Sequence, residues 1–272
     1  MSNLFAWGQR TYIMGILNVT PDSFSDGGEF NTVEAALVQA KAMVEGGADI
    51  LDIGGQSTRP GAEQIPLEEE LKRTIPVIKE IRQEMTIPLS IDTTRAEVAQ
   101  AALDAGANVI NDISGGQYEP QILQVAADAA VPYILMHIRG TPQTMQQRTD
   151  YQDVVAEIYQ YFEQQIRRAV EVGVARSQII LDPGIGFAKT YEQNLEILRR
   201  LPEFKPLNCP LLIGVSRKSF IGHLLNQPDP KKRVWGTAGA CASAIAKGAD
   251  ILRVHDVPPL FDVAQVTDAI FR

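Results

Sequence analysis

Three six-residue segments share one shape: Gly47-Ala48-Asp49-Ile50-Leu51-Asp52, Gly106-Ala107-Asn108-Val109-Ile110-Asn111 and Gly248-Ala249-Asp250-Ile251-Leu252-Arg253. Each reads as a helix stop, a turn and a buried strand. A glycine at positive φ ends the helix, a small residue and an Asp or Asn turn the chain, and two apolar residues enter a sheet. Around these joints, apolar runs of strand length alternate with stretches of helical period, the pattern of a parallel sheet with helical crossovers. The expected strands are Tyr12–Leu17, Ile50–Ile53, Leu89–Ile91, Val109–Asn111, Tyr133–Met136, Ile179–Leu181, Leu211–Val215 and Ile251–Val254. Eight strands in 272 residues predict an α/β chain: one (β/α)8 barrel of the TIM type, with outer helices and its active site at the carboxyl ends of the strands.

Between the strands, Val33, Leu37, Ala40 and Val44 recur at helical spacing, as do the pairs Val125 and Ala129, Ile158 and Phe162, and Val266 and Ile270. Asn31 with Glu34, and Thr94 with Glu97, have the spacing of capping boxes. Cys209 and Cys241 stand far apart with no His or Cys beside them at ligand spacing, so they read as small buried thiols of a reducing cytoplasm rather than a disulfide or zinc site. A chain this long buries enough surface to do without either. The amino terminus lacks the basic residue and the apolar length of a secretory signal, and no run reaches the ~20 residues of a membrane span. With a formal net charge of -8 and scattered Lys and Arg, no nucleic-acid partner and no membrane partner are expected.

The repeat places Asp52, Asn111 and Arg253 at equivalent depths, near the carboxyl ends of their strands. The polar residues at or just after all eight strands are Asn18, Asp52, Asp92, Asn111, His137, Asp182, Arg217, Lys218, Arg253 and His255. Polar groups there are costly in a packed core, and in β/α barrels that end carries the chemistry. Carboxylates and amides can read a hydrogen-bonding heterocycle, while Arg, Lys and His can hold an anion. The set therefore predicts a substrate with a polar ring and a phosphate-like tail. Two polar, glycine-rich loops, residues 18–28 and 54–61, read as flexible lids. No Ser–His–Asp or Cys–His order is apparent, which argues against nucleophilic hydrolysis.

Residues 14–28, Met-Gly-Ile-Leu-Asn-Val-Thr-Pro-Asp-Ser-Phe-Ser-Asp-Gly-Gly, resemble the first signature of the dihydropteroate synthases. Later blocks follow in order: Ser57 to Gly61, Ser90 to Thr93, Asn111 to Ile113, Met136-His137 with Gly140 to Pro142, Asp182 to Phe187, Ser216 to Lys218 and Arg253 to Asp256. The resemblance covers almost the whole chain, and its blocks fall at the predicted strand ends. It implies condensation of a dihydropterin diphosphate with p-aminobenzoate. Asp92, Asn111, Asp182 and Lys218 match positions that hold the pterin, and Arg253, His255, Thr58 and Arg59 match or neighbour the diphosphate contacts. Asn18 matches a Mg2+ ligand, with Asp26 as a possible helper, and diphosphate oxygens and water would complete the shell. Phe24, Pro60 and Phe187 would sandwich the p-aminobenzoate ring, with Arg59 nearby and the Ser219 N–H on its carboxylate. Asp92, Lys218, Arg253 and His255 are the expected catalytic groups, with Asp92 stabilising a cationic pterin methylene. The resemblance also implies a homodimer through the later helices. One departure is Ala188, where the family pattern leads one to expect glycine. Other readings are a pterin-dependent methyltransferase, which has no need of the Arg253–His255 anion clamp, and a barrel that binds pterin without turning it over. A phosphosugar enzyme would carry a glycine-rich late phosphate loop, which residues 215–218 do not.

Overall fold

At the three repeated joints Gly47, Gly106 and Gly248 have φ of 100, 114 and 102°, a region that side-chain-bearing residues avoid. Here a computed structural model, the structure describes residues 5–20 and 29–272, with the backbone alone for residues 29–32. Its strands are β1 (Tyr12–Asn18), β2 (Ile50–Gly54), β3 (Leu89–Asp92), β4 (Val109–Asp112), β5 (Tyr133–Met136), β6 (Ile179–Asp182), β7 (Leu212–Ile213) and β8 (Ile251–Val254). They run parallel in the order β6-β5-β4-β3-β2-β1-β8-β7. A bridge from Leu181 to Leu211 joins the two ends, which closes the barrel. The seventh strand is shorter than expected: Leu211 contributes only that bridge, and Gly214 and Val215 lie beyond the paired residues.

The Asp or Asn of each joint does more than turn the chain. Asp49 donates its N–H to the carbonyl of Ile13 (2.8 Å) and accepts the N–H of Ile13 on its carboxylate (2.8 Å). Asn108 does the same to Leu89 at 2.7 and 3.1 Å, and Asp250 to Leu211 at 2.8 and 2.9 Å. Each joint thus clamps both polar groups of one residue where the neighbouring strand begins, fixing that strand pair's register.

Register decides which side chains enter the barrel, because strand side chains alternate between faces. Tyr12, Met14, Ile50, Val109, Ile134, Ile180, Leu212 and Ile251 form one buried cluster with Phe5, the inner layer near the amino ends. Phe5, Trp7 and Tyr12 rings, with centroids 4.8 to 5.6 Å apart, close that end. The alternate residues, among them Leu51, Ile53, Ile91, Ile110, Leu135, Leu181 and Leu252, belong to the larger cluster between wall and helices.

The helices are α1 (Glu29–Glu45), α2 (Leu67–Glu84), α3 (Ala96–Asp104), α4 (Gln121–Ala129), α5 (Val154–Val172), α6 (Tyr191–Arg199), α7 (Ser219–Leu224), α8 (Val234–Ala246) and α9 (Val257–Phe271). Ala40, Ile158 and Phe162 are fully buried as their spacing predicts. Val266 and Ile270 are not: they are 62 and 67% exposed, and α9 packs through Val257, Leu260, Ala264 and Thr267 instead. The expected Thr94–Glu97 capping box does not form, and Asn31 does not stand at a helix entry. Because α1 starts at Glu29, Asn31 lies inside its first turn. α3 is entered from Arg95, and its Ala96 N–H is taken by the Glu119 carboxylate from the next loop (2.9 Å). Asp153 caps α5, and Thr190 with Gln193 forms a capping box on α6. Cys241 is buried and Cys209 half-buried, both as free thiols.

Replacing Asn108 by Ala leaves the Leu89 N–H without its side-chain partner and removes one of the bonds of Arg82, which also donates to the same oxygen at 2.9 Å. A loss of about 1–3 kcal/mol is expected in urea unfolding, while Ala at exposed Asp104 stays within about 0.5 kcal/mol of the parent.

Candidate active site

The inward alternation that begins with Ile50, Val109 and Ile251 continues to Asp52, Asn111 and Arg253 two residues later, so the polar residues of the repeat sit directly above the apolar layer. They meet there. Arg253 Nε donates to Asp52 Oδ2 at 2.6 Å, and Asn111 Nδ2 donates to the same oxygen at 3.0 Å. One level higher, Arg253 Nη2 donates to Asp92 Oδ2 at 2.6 Å. Asp52 is completely buried, and Asp92 and Asn111 nearly so. Two carboxylates therefore share one guanidinium, and burial strengthens the pull between them.

Asp182 stands across the mouth on β6, with its Oδ1 accepting the Gly184 N–H at 2.7 Å. Gly214, just past β7, carries no side chain between them: a Cβ there would lie 4.0 Å from both Asp182 Oδ2 and the Arg253 Cβ. Gly54 leaves similar room on the other side, where a Cβ would lie 3.5 Å from Asn18 Oδ1 and from the Asp92 Cβ. Lys218 enters from the start of α7, with its amine 4.2 Å from the centre of the Phe187 ring. It passes over Gly186, where a Cβ would come within 2.9 Å of its stem. Its predecessor Arg217 holds a left-handed φ of 60°, a conformation costly for a residue with a side chain. Bonds from Arg217 to Asp256 (2.9 Å) and to Thr237 (3.1 Å) hold it there.

Some residues of the expected polar ring lie elsewhere. Arg217 is committed to Asp256. His137 alternates to the outer side of the wall, edge-on to the Tyr161 ring of α5 at 4.8 Å. His255 follows Arg253 inward, but its Nδ1 and backbone N–H both meet Ser216 Oγ, at 2.9 and 3.1 Å. Thr58 and Asp92 line a cavity of about 260 Å3 with Gln56, Glu70, Ile113 and Tyr118. Arg59, Pro60 and Ser219 are exposed. The ends of the loop that carries Thr58 are anchored: Gly61 donates to the Pro142 carbonyl (2.9 Å), and Arg73 bonds the carbonyl of Gly55. Phe24 and Asp26 lie outside the described residues. Ala188 adopts φ 50° and is fully buried, so a glycine would fit its backbone more easily, while its methyl packs with Ile113, Met136 and Ile138.

Sequence reasoning put Asp52 in the polar ring but not in the site, where it anchors both Arg253 and Asn111; its position in the repeat was the available signal. Gly54, Gly214 and Lys189 were missed. The first two show only as small residues at inward positions, and Lys189 reads as an ordinary surface lysine.

Electrostatics follow from burial and pairing. Burial pushes the Asp92 carboxyl up against the opposing pull of Arg253, with Asp52 adding to the rise. Asp182 is also raised by burial, with the Gly184 N–H, Lys218 and Arg253 holding it back. Burial brings Lys218 down to about 8, with Asp182 opposing. His255 falls to about 3, through burial and then Arg217 and Arg253, so it faces a ligand as a neutral imidazole. Among the described residues no three His, Cys, Asp or Glu side chains cluster as metal ligands.

Replacing Arg253 by Met leaves two buried carboxylates without their counter-ion, and a loss of about 3–5 kcal/mol is expected. The sign of its pH dependence follows. In the parent burial already lifts the Asp92 carboxyl to about 7; in the variant it rises further, so the native state holds the extra proton over a wider range and, relative to the parent, stability falls as pH rises above about 7. Urea unfolding at several pH values measures both effects.

Residues 14–255 match the family described as pterin binding enzyme. A dihydropteroate synthase of Synechocystis is 64% identical over 269 residues, covering 99% of this chain and 93% of that protein. The crystal structure of dihydropteroate synthase from Clostridium difficile in the presence of pteroic acid superposes with a TM-score of 0.94 at 48% identity, over 98% of this chain and 99% of that one. The Xanthomonas albilineans enzyme in complex with 7,8-dihydropteroate does so with a TM-score of 0.87 at 42% identity, over 96% and 94%. With these matches spanning a barrel whose mouth holds Asp92, Asn111, Asp182, Lys218 and Arg253 together, the chain belongs to the pterin-binding enzyme family, among the dihydropteroate synthases.

Proposed function

We propose that the chain joins 6-hydroxymethyl-7,8-dihydropterin diphosphate to p-aminobenzoate, forming 7,8-dihydropteroate and pyrophosphate in folate biosynthesis. The observation that carries this reading is the excess of buried acceptor over donor at the mouth: Asp52, Asp92 and Asp182 face one shared guanidinium and the Lys218 amine. Such a site favours a flat ring rich in N–H donors. In this reading Asp182 and Asp92 accept from the pterin edge, and Asn111 and Lys218 donate to its ring nitrogen and carbonyl.

The diphosphate lies on the solvent side. Two of the three guanidinium nitrogens of Arg253 are used by Asp52 and Asp92, leaving Nη1 for a phosphate oxygen. If Ser216 gives its hydroxyl proton to His255 Nδ1, the imidazole keeps its proton on Nε2 as a further donor. Thr58 donates from the β2 loop. The p-aminobenzoate ring stacks on Phe187, with Pro60 and Phe24 from the two loops, and its carboxylate meets the Ser219 N–H and Arg59. In the reaction the bond between the pterin methylene and the diphosphate oxygen breaks, with its electron pair leaving on pyrophosphate. Asp92 stabilises the cationic methylene through space, the aniline nitrogen forms the new C–N bond, and the nitrogen then loses a proton. A preorganised charge in a buried site lowers such a barrier by a few kcal/mol, about 2–4.

The Asn18 side chain makes no hydrogen bond to another described residue and faces the gap at Gly54 beside Asp92, which fits an amide oxygen offered to a cation. It would hold Mg2+, which neutralises charge on the leaving diphosphate when bound. A homodimer is part of the proposal, supported by Leu224 and Leu225 at the end of α7 and Trp235 on α8, at 60, 52 and 77% exposure. Light scattering should then give twice the 29.8 kDa chain mass.

Pyrophosphate release should require dihydropterin diphosphate, p-aminobenzoate and Mg2+ together. Asp92→Asn lowers kcat at saturating substrates by about 100-fold; an unchanged kcat removes the cation-stabilising role. Asn18→Ala raises the Mg2+ concentration for half-maximal rate about tenfold, read by metal titration of the same assay.

A further inference from the structure

Among the described lysines Lys189 is the most completely buried, 3% exposed, and the proposed reaction makes no use of it. Its amine donates to the Phe187 carbonyl at 2.8 Å and meets His137 Nδ1 at 3.1 Å. His137 is held in turn. Its N–H donates to the Asp182 carbonyl at 2.9 Å, and its ring stands edge-on to Tyr161. Its own carbonyl presses so closely on Gly184 that a Cβ there would lie 2.1 Å from it, while the Lys189 amine would lie 3.4 Å from the same point. Gly184 gives its N–H to Asp182 Oδ1. The turn from 182 to 189 is therefore wrapped around one amine, with a pterin-facing carboxylate at its start and an aromatic wall at Phe187.

We propose that Lys189 is a positioning residue for both substrates: with His137 behind the barrel wall, it sets the turn that presents Asp182 to the pterin and Phe187 to the p-aminobenzoate ring. The inference rests on the functional reading above. Charge adds to geometry. Burial and the nearby Lys189 and Arg139 keep His137 neutral, so the pair carries at most one positive charge, and it lies on the lysine. Lys189 itself is brought down to about 7 by burial, with Asp182 opposing and Lys218 and Arg139 adding. Asp182 is faced by the Gly184 N–H, Lys218 from α7, Arg253 from β8 and Lys189, so losing one cation eases its protonation.

The test begins with the unaltered chain in the pyrophosphate-release assay and with 7,8-dihydropteroate binding by calorimetry. If neither responds, the functional reading fails before Lys189 is reached. Given an active chain, Lys189→Met raises KM for both substrates about tenfold, with kcat within about threefold and with weaker binding of 7,8-dihydropteroate. The acid limb of pterin KM moves to higher pH, a shift that loosened packing alone does not produce. His137→Leu reproduces the KM increase and His137→Asn, which keeps an acceptor in place of Nδ1, does not. The double variant Lys189→Met with His137→Leu is no worse than either alone. Unchanged KM in Lys189→Met, or additive losses in the double variant, overturns the proposal. Should Lys189→Met fail to fold, equal KM in the two His137 variants overturns it.

Discussion

Three residues, Asp49, Asn108 and Asp250, each hold both the N–H and the carbonyl of one residue at the start of a neighbouring strand. A slip of one residue in any of these pairs would exchange the faces of a whole strand. Asp52, Asn111 and Arg253 lie three residues past the clamps, so their entry into the barrel depends on that register. A polar turn residue at the bottom of the barrel thereby decides what stands at its mouth.

Above the apolar layer, the charges cannot be understood one at a time. Arg253 is worth having only because Asp52 and Asp92 are both within 2.6 Å of it, and either carboxylate alone would be expensive to bury. The arrangement leaves a surplus of acceptors and a guanidinium whose Nη1 bonds no other described residue. That combination suits a ligand with donors on a flat ring and an anion on its tail. The small residues Gly54 and Gly214 matter as much as the charged ones, because side chains there would occupy the space between Asn18 and Asp92, and between Asp182 and Arg253.

Much of this was legible in the chain. The glycines at the joints announced positive φ, and the repeat announced that Asp52, Asn111 and Arg253 share a level. Local patterns misled where a long-range partner took over. Thr94 has the spacing of a cap, yet Glu119 from the next loop supplies the acceptor for α3. Val266 and Ile270 have helical spacing but lie on the outer face of α9. Arg217 reads as an anion-holding cation until Asp256 is found beside it, and Lys189 is unreadable as a buried group because the partner of its amine, His137, stands 52 residues away in the chain.

The sequence by itself determined the number and order of the strands, the glycine stops and the residues at the strand ends, because these depend on side-chain period and backbone sterics within a few residues. Only the tertiary structure decided that Asp52 and Asp92 share Arg253, that His137 turns behind the wall, and that Lys189 links it to the turn bearing Asp182 and Phe187. Pairings between groups 52 to 201 residues apart are set by barrel closure and by the low dielectric of the interior, neither of which is written in a local window.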